Sequence, residues 1–130
     1  HPDHGRAAEL IKTCCFLSGL IKVKTNYNNL NQNIWRPNSL YYYTQFNQEI
    51  PDFVVDVSTY MKKKMKIIEC YSSQFFNPKS KEPETIISKK SFLDSIIYRA
   101  SDLGRIINVK YAEGFKSERL LSVDDLFNLK

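Results

Sequence analysis

The run Phe53-Val54-Val55-Asp56-Val57 restricts the fold of this chain more than any other segment. Four of its five residues are apolar, which is typical of a strand that is covered on both faces. Pro51 starts the segment, and Ser58 follows it as the expected cap of a helix that continues to about Tyr71. A buried strand followed directly by a helix predicts an α/β layer structure.

The other segments add two strands, three helices and two loops to this pair. We expect strands at Ser39–Thr44 and Ile106–Ala112, helices at Gly5–Ser18, Ser91–Leu103 and Ser122–Leu129, and loops at Thr25–Asn33 and Ser72–Ser88. Gly19 and Gly104 are expected to stop the helices that precede them. Three short strands would leave an exposed edge and a partly uncovered core. The pattern therefore predicts a piece of a larger sheet, and a first residue that is His1 and not Met indicates a processed product or a fragment.

Three of the predicted helices have an apolar face at spacings of three and four residues. These faces are expected to be buried: Ala7, Ala8, Ile11, Cys14, Cys15 and Ser18 in the first helix, Met61, Met65 and Ile68 in the second, and Phe92, Ile96, Ala100 and Leu103 in the third.

The overall composition and charge argue against a disordered chain and against a binder of nucleic acid or membrane surfaces. Hydrophobic residues make up 42% and charged residues 25% of the 130 residues, which is typical of one folded domain. The net charge of +5 raises the question of a nucleic-acid or membrane-surface binder. The lysines Lys62, Lys63, Lys64 and Lys66 surround the polar side of a predicted helix, and others lie in a Pro- and Ser-rich loop, so we expect a solvated surface and neither nucleic acid nor membrane as a partner.

Cysteine usage and the absence of two motifs narrow the chemistry further. Cys14, Cys15 and Cys70 form neither a disulfide framework nor a CxxC metal site, which fits a reducing cytoplasm. No GxSxG elbow is present, and adjacent cysteines on an apolar helix face are expected to pack as small hydrophobes. A serine or cysteine nucleophile is therefore not expected.

The string His1-Pro2-Asp3-His4 contains the only histidines of the chain. One imidazole could bind a metal, while the other could be held by Asp3 through one ring nitrogen, which fixes its tautomer. Taken alone the signal is weak, because terminal histidines often come from tags and a catalytic zinc needs three protein ligands and an open position. A hydrolytic site would therefore need ligands from elsewhere.

The same string extended to Ala8 resembles the second signature of the LmbE-like (PIG-L) zinc deacetylases. Further strings follow in the order found in the bacillithiol-pathway branch of that family, whose members act on N-acetylglucosaminyl malate. They are Phe16-Leu17-Ser18-Gly19-Leu20, Trp35-Arg36-Pro37, Tyr41-Tyr42-Tyr43, Pro51 to Ser58, Lys63-Lys64-Met65, Ser72-Ser73-Gln74-Phe75, Lys81 to Thr85 and Tyr111-Ala112-Glu113-Gly114-Phe115. Each string is modest, but the ordered set spans nearly the whole chain.

This resemblance implies a Rossmann-like α/β sandwich, of which residues 1–130 would be the C-terminal part of a single domain with its N-terminal strands absent. It implies that His4 is a zinc ligand, that His1 is the acid or oxyanion-stabilising imidazole, and that Asp3 orients His1. The other two zinc ligands and the general base belong in the family to an N-terminal His-Pro-Asp-Asp motif, which this sequence lacks. The resemblance also places a substrate-binding arginine near Arg36, where a guanidinium suits a carboxylate such as that of malate. A surface arginine stacked on Trp35 is the alternative.

We therefore expect zinc-dependent hydrolysis of the acetamide of an N-acetylglucosaminyl conjugate by the complete cytoplasmic domain, with a small-molecule substrate. The alternative is a catalytically incomplete fragment or subunit without activity alone. Its partner would be the missing N-terminal half, while relatives also suggest a homo-oligomer. Glu113 is expected to support the site or to be a loop carboxylate, with the structural role favoured. The bare chain is expected to bind zinc poorly.

Overall fold

The computed structural model describes residues 1–129, which form two compact units. Unit 1 contains His1–Tyr42 and Ser117–Ser122, and unit 2 contains Tyr43–Lys116 and the residues from Val123 onward. The elements in chain order are α1 (Pro2–Leu17), β1 (Asn26–Tyr27), β2 (Leu30–Asn31), β3 (Tyr41–Tyr43), β4 (Phe53–Asp56), α2 (Met61–Glu69), α3 (Lys90–Ile106), β5 (Ala112–Ser117) and a 3-10 helix (Leu126–Asn128). Helices and antiparallel strands together make this a mixed α/β fold, as the sequence predicts at that level.

The first helix begins three residues before the predicted start at Gly5. Pro2 occupies the first helical position, where a missing N–H costs nothing, and His1 caps the helix by accepting the Asp3 amide. The predicted buried face is wrong within this chain, since no residue of α1 is buried and only Ala8 and Cys15 are half-buried. The other four residues of that face, Ala7, Ile11, Cys14 and Ser18, are exposed.

The segment predicted as the loop Thr25–Asn33 is a small antiparallel hairpin. Strand β1 pairs with β2 through Asn26 opposite Asn31 and Tyr27 opposite Leu30. The two turn residues, Asn28 and Asn29, have φ values of 51° and 62°. Two consecutive left-handed residues define the type I′ turn that suits the twist of a tight hairpin, and Asn tolerates that conformation. The prediction of a plain loop was therefore wrong.

The central sheet has the strand order β3-β5-β4. Strand β4 confirms the prediction for Phe53–Val57 to within one residue, and it runs antiparallel to β5 with Phe53 opposite Phe115 and Asp56 opposite Ala112. The expectation of burial on both faces was wrong, because Val55 is 44% exposed. A strand with this composition is left partly uncovered by the described part of the chain.

Strand β5 begins at Ala112, where the predicted strand Ile106–Ala112 was expected to end. Helix α3 occupies the start of that segment because it continues through Gly104 to Ile106. Asn108, at φ 58°, then reverses the chain, while the Val109 amide donates to the Gly104 carbonyl at 2.9 Å. This is a Schellman ending, with Asn in the place that Gly usually takes.

The core of the molecule lies in unit 2 between α2 and α3. Met61, Leu93, Ile96 and Ala100 are buried together, with Met65, Ile68 and Phe92 among the partly buried residues packed against them. These residues confirm the predicted faces of α2 and α3. Ser58 does not cap α2, however: its hydroxyl bonds to the backbone of Tyr111, and Tyr60 precedes the helix without a side-chain cap.

One of the two remaining predictions of secondary structure is confirmed and the other only in part. The predicted loop Ser72–Ser88 is confirmed, because the chain between α2 and α3 contains neither a helix nor a strand. The expected closing helix Ser122–Leu129 is reduced to a 3-10 turn at Leu126–Asn128, which Asp125 and not Ser122 caps. Among residues 1–129, no helix combines the length and the apolar character needed to cross a bilayer.

Candidate functional site

The start of α1 brings together three of the four predicted site residues. The helical turn places His1, Asp3 and His4 next to one another, and all three are exposed. The Nδ1 atom of His1 lies 3.4 Å from Asp3 Oδ2, while Arg6 contacts the other oxygen, Oδ1, at 3.3 Å. Asp3 in the first helical turn also interacts favourably with the positive end of the helix dipole.

The two contacts of His1 Nδ1 require opposite protonation states. As the cap of α1, Nδ1 accepts the Asp3 amide N–H at 3.3 Å, and this requires an unprotonated nitrogen. A hydrogen bond to the Asp3 carboxylate requires that Nδ1 carry the proton and leaves Nε2 free to face a ligand. The two bonds therefore compete, and a negative Asp3 favours the tautomer that a carboxylate-oriented imidazole needs.

Zinc fits this donor set only in part. The exposed His4 imidazole is a ligand type that zinc prefers. Within residues 1–129, however, no group of three or more His, Cys, Asp or Glu side chains could hold a metal ion. Three protein ligands are the minimum of the known catalytic zinc sites. The residues present therefore do not form a complete zinc site.

Arg36, the fourth predicted site residue, lies at the other end of α1. Its Nη2 atom donates to the Phe16 carbonyl at 3.1 Å, and its guanidinium carbon lies 5.2 Å from the centre of the Phe16 ring. The guanidinium thus satisfies a carbonyl of the last helical turn and covers an aromatic face. The ring that it covers belongs to Phe16 and not to Trp35, the residue named in the alternative.

The length of α1 separates Arg36 from the histidines. Phe16 follows His4 by twelve residues, which corresponds to roughly 18 Å along a helix axis. A substrate that contacts the imidazoles and Arg36 together must span that length, or Arg36 must leave Phe16. The structure therefore does not bring Arg36 into the group formed by His1, Asp3 and His4.

A second polar group, in unit 2, was not identified as a cluster from the sequence. Lys64 of α2 forms an ion pair with Glu113 of β5, and Arg99 of α3 donates to the Gln45 carbonyl. A cavity of about 10 Å³, which is room for about one water molecule, lies beside these side chains. Its polar lining consists of Thr44, Lys64, Arg99 and Glu113. Burial lowers the pKa of the Arg99 guanidinium from its usual value, and the charge of Glu113 acts in the opposite direction.

The spacing of Lys64 along α2 is a sequence signal for this cluster. Lys64 was grouped with solvated lysines, yet it is half-buried and lies three residues after Met61 and four before Ile68. That spacing places it on the buried face of α2. Glu113 of β5 pairs with Lys64 of α2, which supports the structural role favoured for it.

A third group lies in unit 1 and consists of Lys12, Tyr42 and Glu118. Lys12 Nζ lies 2.6 Å from Glu118 Oε1, and the Tyr42 hydroxyl donates to Glu118 Oε2 at 3.0 Å. The hydrogen bond from Lys12, followed by that from Tyr42, lowers the pKa of Glu118. The Glu118 carboxylate in turn raises the pKa of Lys12, while burial, followed by the bond to Glu118, raises the pKa of Tyr42. This group attaches α1 to the Ser117–Ser122 segment.

Comparison with known proteins relates the chain to a solved structure. No protein-family model matches the chain. The chain is similar to the conserved protein TT1542 from Thermus thermophilus, with a TM-score of 0.74 and 25% sequence identity. The similarity covers 95% of this chain but 50% of that protein, so the chain spans half of the length of its solved neighbour.

Proposed function

We propose that this chain contributes part of the active site of a zinc-dependent N-deacetylase of the LmbE-like type, and that residues 1–130 form the C-terminal portion of its Rossmann-like domain. The observation that carries the proposal is the group His1, Asp3 and His4 at the start of α1, with His1 3.4 Å from the carboxylate of Asp3. The ordered strings that resemble the bacillithiol branch support the substrate class. Coverage of half of TT1542 is consistent with a portion of a larger domain.

Each residue has a proposed role at a stated atom. His4 would be one zinc ligand. Asp3 would hold the proton on His1 Nδ1, so that Nε2 faces the substrate and can donate a proton to the departing amine or to the oxygen on which charge develops. Zinc, when bound, would polarise the acetamide carbonyl. The remaining ligands and the general base would lie outside this chain.

The proposed substrate is an N-acetylglucosaminyl conjugate with a carboxylate-bearing group such as malate, and the proposed location is the cytoplasm. Three free cysteines are consistent with a reducing compartment. Arg36 is proposed to bind the carboxylate only after its guanidinium is released from Phe16. The alternative is a subunit without activity alone, and the absence of three metal-binding side chains in residues 1–129 favours it for the isolated chain.

The test measures zinc content and acetate release from N-acetylglucosaminyl malate. The protein is isolated as its gene encodes it and is compared with the 130-residue chain. We expect His4→Ala to remove both zinc and activity. Asp3→Asn should keep the zinc and lower the rate by about 10²–10⁴-fold, because the tautomer of His1 is no longer fixed. Arg6→Ala is the matched control, since Arg6 contacts the same carboxylate without any role in proton transfer, and it should retain most of the activity.

Two results would count against the proposal. Full zinc content and activity in His4→Ala would remove the ligand assignment. Tight one-to-one zinc binding by the 130-residue chain would show that it does not need donors from outside, which contradicts the incomplete site.

A further inference from the structure

The end of helix α1 holds the Arg36 side chain by three separate contacts. Nη2 of Arg36 donates to the Phe16 carbonyl at 3.1 Å, and the guanidinium carbon lies 5.2 Å from the centre of the Phe16 ring. In the third contact, the guanidinium fills the space beside Gly19 that a side chain at that position would take. We name this arrangement the docked conformation of Arg36. All of its contacts lie within unit 1.

The docked conformation requires glycine at position 19. A Cβ on Gly19 would lie 2.8 Å from both Cζ and Nη2 of Arg36, and it would also overlap Nε. Because non-bonded heavy atoms are most stable about 3.5–4.0 Å apart, one of the two groups must move. Arg36 is the group that moves, since its guanidinium is the far end of a flexible side chain. The backbone accepts an alanine at this position, because no glycine of residues 1–129 has a positive φ.

Release of Arg36 costs the helix little. The Phe16 carbonyl also accepts the Gly19 amide N–H at 3.3 Å, so it keeps a hydrogen bond when the guanidinium leaves. Arg36 and Phe16 are both exposed, so water can replace the hydrogen bond that the guanidinium loses. The docked and released conformations therefore differ by a small free energy, which a ligand or a single substitution can overcome.

The docked conformation also occupies one edge of the guanidinium that can bind a carboxylate. Nε and Nη2 form a pair of donors that matches the two oxygens of a carboxylate. These two nitrogens are the ones that face Gly19, and Nη2 already donates to Phe16. A carboxylate that pairs with this edge must therefore bind the released conformation of Arg36.

We propose that Gly19 sets the affinity for the carboxylate of the substrate, because it allows Arg36 to dock on α1 in competition with that carboxylate, an inference that rests on the proposed function of Arg36. Gly19 would thus determine specificity without contacting the substrate. A ligand that binds only the released conformation has an apparent Kd equal to its intrinsic Kd divided by the released fraction. A substitution that prevents docking should therefore tighten carboxylate binding.

The experiment uses malate as the probe and compares Gly19→Ala with the matched control Gly5→Ala. Both variants replace a glycine by alanine, but nothing lies within 4 Å of a Cβ at Gly5. The protein is prepared as its gene encodes it, with isotope-labelled arginine, and the Nε–H resonance of Arg36 is assigned by its loss in Arg36→Lys. The Phe16 ring shifts this resonance in the docked conformation, so its position in the NMR spectrum reports docking. Titration with malate gives the Kd.

We expect Gly19→Ala to move the Arg36 resonance toward its position in urea and to lower the Kd for malate about threefold to tenfold. Gly5→Ala should change neither. Phe16→Leu removes the ring and keeps the carbonyl, so it should lower the Kd about twofold to fivefold, the factor that corresponds to an exposed cation–π contact. This variant also decides the outcome if circular dichroism shows that Gly19→Ala does not fold.

Three results would overturn the competition. An Arg36 resonance at its wild-type position in Gly19→Ala would show that docking does not require glycine. Release of Arg36 without a lower Kd would show that docking does not oppose carboxylate binding. A wild-type Arg36 resonance that malate does not shift would show that Arg36 does not bind the carboxylate.

Acetate release and zinc content, measured on the same samples, test the deacetylase separately. Absence of both, together with the expected malate results, would reject the deacetylase and keep the role of Gly19. Normal acetate release with equal malate affinities in Gly19→Ala and Gly5→Ala would reject the role of Gly19 and keep the deacetylase.

Discussion

The two units of this chain differ in what their helices bury. In unit 2, α2 and α3 pack Met61, Leu93, Ile96 and Ala100 into a common core. In unit 1, α1 is about as long as α3, yet it buries no residue at all. The difference shows that unit 2 is organised by contacts within this chain, whereas the apolar side of α1 is left without such contacts in the described residues.

The proposed chemistry lies in the unit with the weaker packing. His1, Asp3 and His4 are on α1, and their mutual contacts are exposed, so each contributes little to stability. A hydrolytic site requires side chains held within a fraction of an ångström of their working positions. The described contacts of unit 1 do not provide that rigidity, which is a reason to expect additional packing on α1.

The largest expected change in the free energy of unfolding separates the helices of the two units. Ile96→Ala in unit 2 should lower the free energy of unfolding by about 2–4 kcal/mol, because it leaves a cavity among buried side chains. Leu10→Ala, at 63% exposure in unit 1, should change it by less than about 0.5 kcal/mol in this chain. Urea unfolding followed by circular dichroism measures both. Equal losses would mean that α1 is packed as tightly as α3 and would remove the contrast.

A smaller change in the free energy of unfolding, with opposite signs in the two units, is expected when two helical glycines are replaced by alanine. A Cβ on Gly104 of α3 would lie 2.7 Å from the Val109 carbonyl oxygen and 2.9 Å from the Tyr111 amide nitrogen, and backbone atoms cannot easily give way. Gly104→Ala should therefore destabilise the protein by about 1–3 kcal/mol. At Gly5 of α1 nothing lies within 4 Å of such a Cβ, so Gly5→Ala should stabilise by about 0.5–1 kcal/mol through helix propensity.

The same urea midpoints measure the glycine pair. Stabilisation by both alanines would show that the α3 ending has room to adjust. Destabilisation by both would indicate that the start of α1 is in closer contact than this chain provides.

The same contrast explains which parts of the fold were predictable from the sequence. Met61, Met65 and Ile68 of α2, and Ile96 and Ala100 of α3, were assigned to buried faces, and their partners are present in the chain. The stripe on α1 follows the same periodicity but stays exposed. Periodicity identifies an apolar side of a helix, but it does not say whether the covering layer belongs to the same stretch of sequence.

The hairpin turn and the end of α3 were not predicted for a different reason. Both depend on backbone conformation, which the hydrophobic pattern does not reveal. Asn28 and Asn29 form a hairpin turn and Asn108 ends α3, each at positive φ. Asn is less common than Gly in these positions, so the sequence favours a loop for the Asn-rich segment and a stop at Gly104.

For the site, the grouping of His1, Asp3 and His4 could be predicted because they lie within one helical turn. The position of Arg36 beside Phe16 depends on the path of the chain between residues 18 and 35, which no local pattern specifies.

The smallest expected effect is the pH dependence of the stability that Lys12, Tyr42 and Glu118 contribute in unit 1. The pKa of Glu118 is lowered from 4.5 by Lys12 and Tyr42, so its contribution to stability is present above pH 4.5 and is lost as the pH falls through the folded-state pKa. The pKa values of Lys12 and Tyr42 are raised from 10.5 and 10.0, so their contributions are present below those values and are lost as the pH rises. The group should therefore stabilise the chain between about pH 4.5 and 10, and this stabilisation should be lost below and above that range.

Glu118→Gln removes the charge that links all three residues, so the urea midpoint of the variant should lie slightly below that of the wild type near pH 7. At both pH extremes the wild-type midpoint should fall toward that of the variant, because the wild type loses the same contribution there. Glu49→Gln is the matched control, because it removes an exposed carboxylate from unit 2 and should leave the shape of the profile unchanged. The difference near pH 7 should also shrink in high salt, since ions screen exposed pairs. A Glu118→Gln profile parallel to that of the wild type would show that α1 is held to the Ser117–Ser122 segment by packing and not by these charges. In that case unit 1 would resemble unit 2 more closely than its exposed helix indicates.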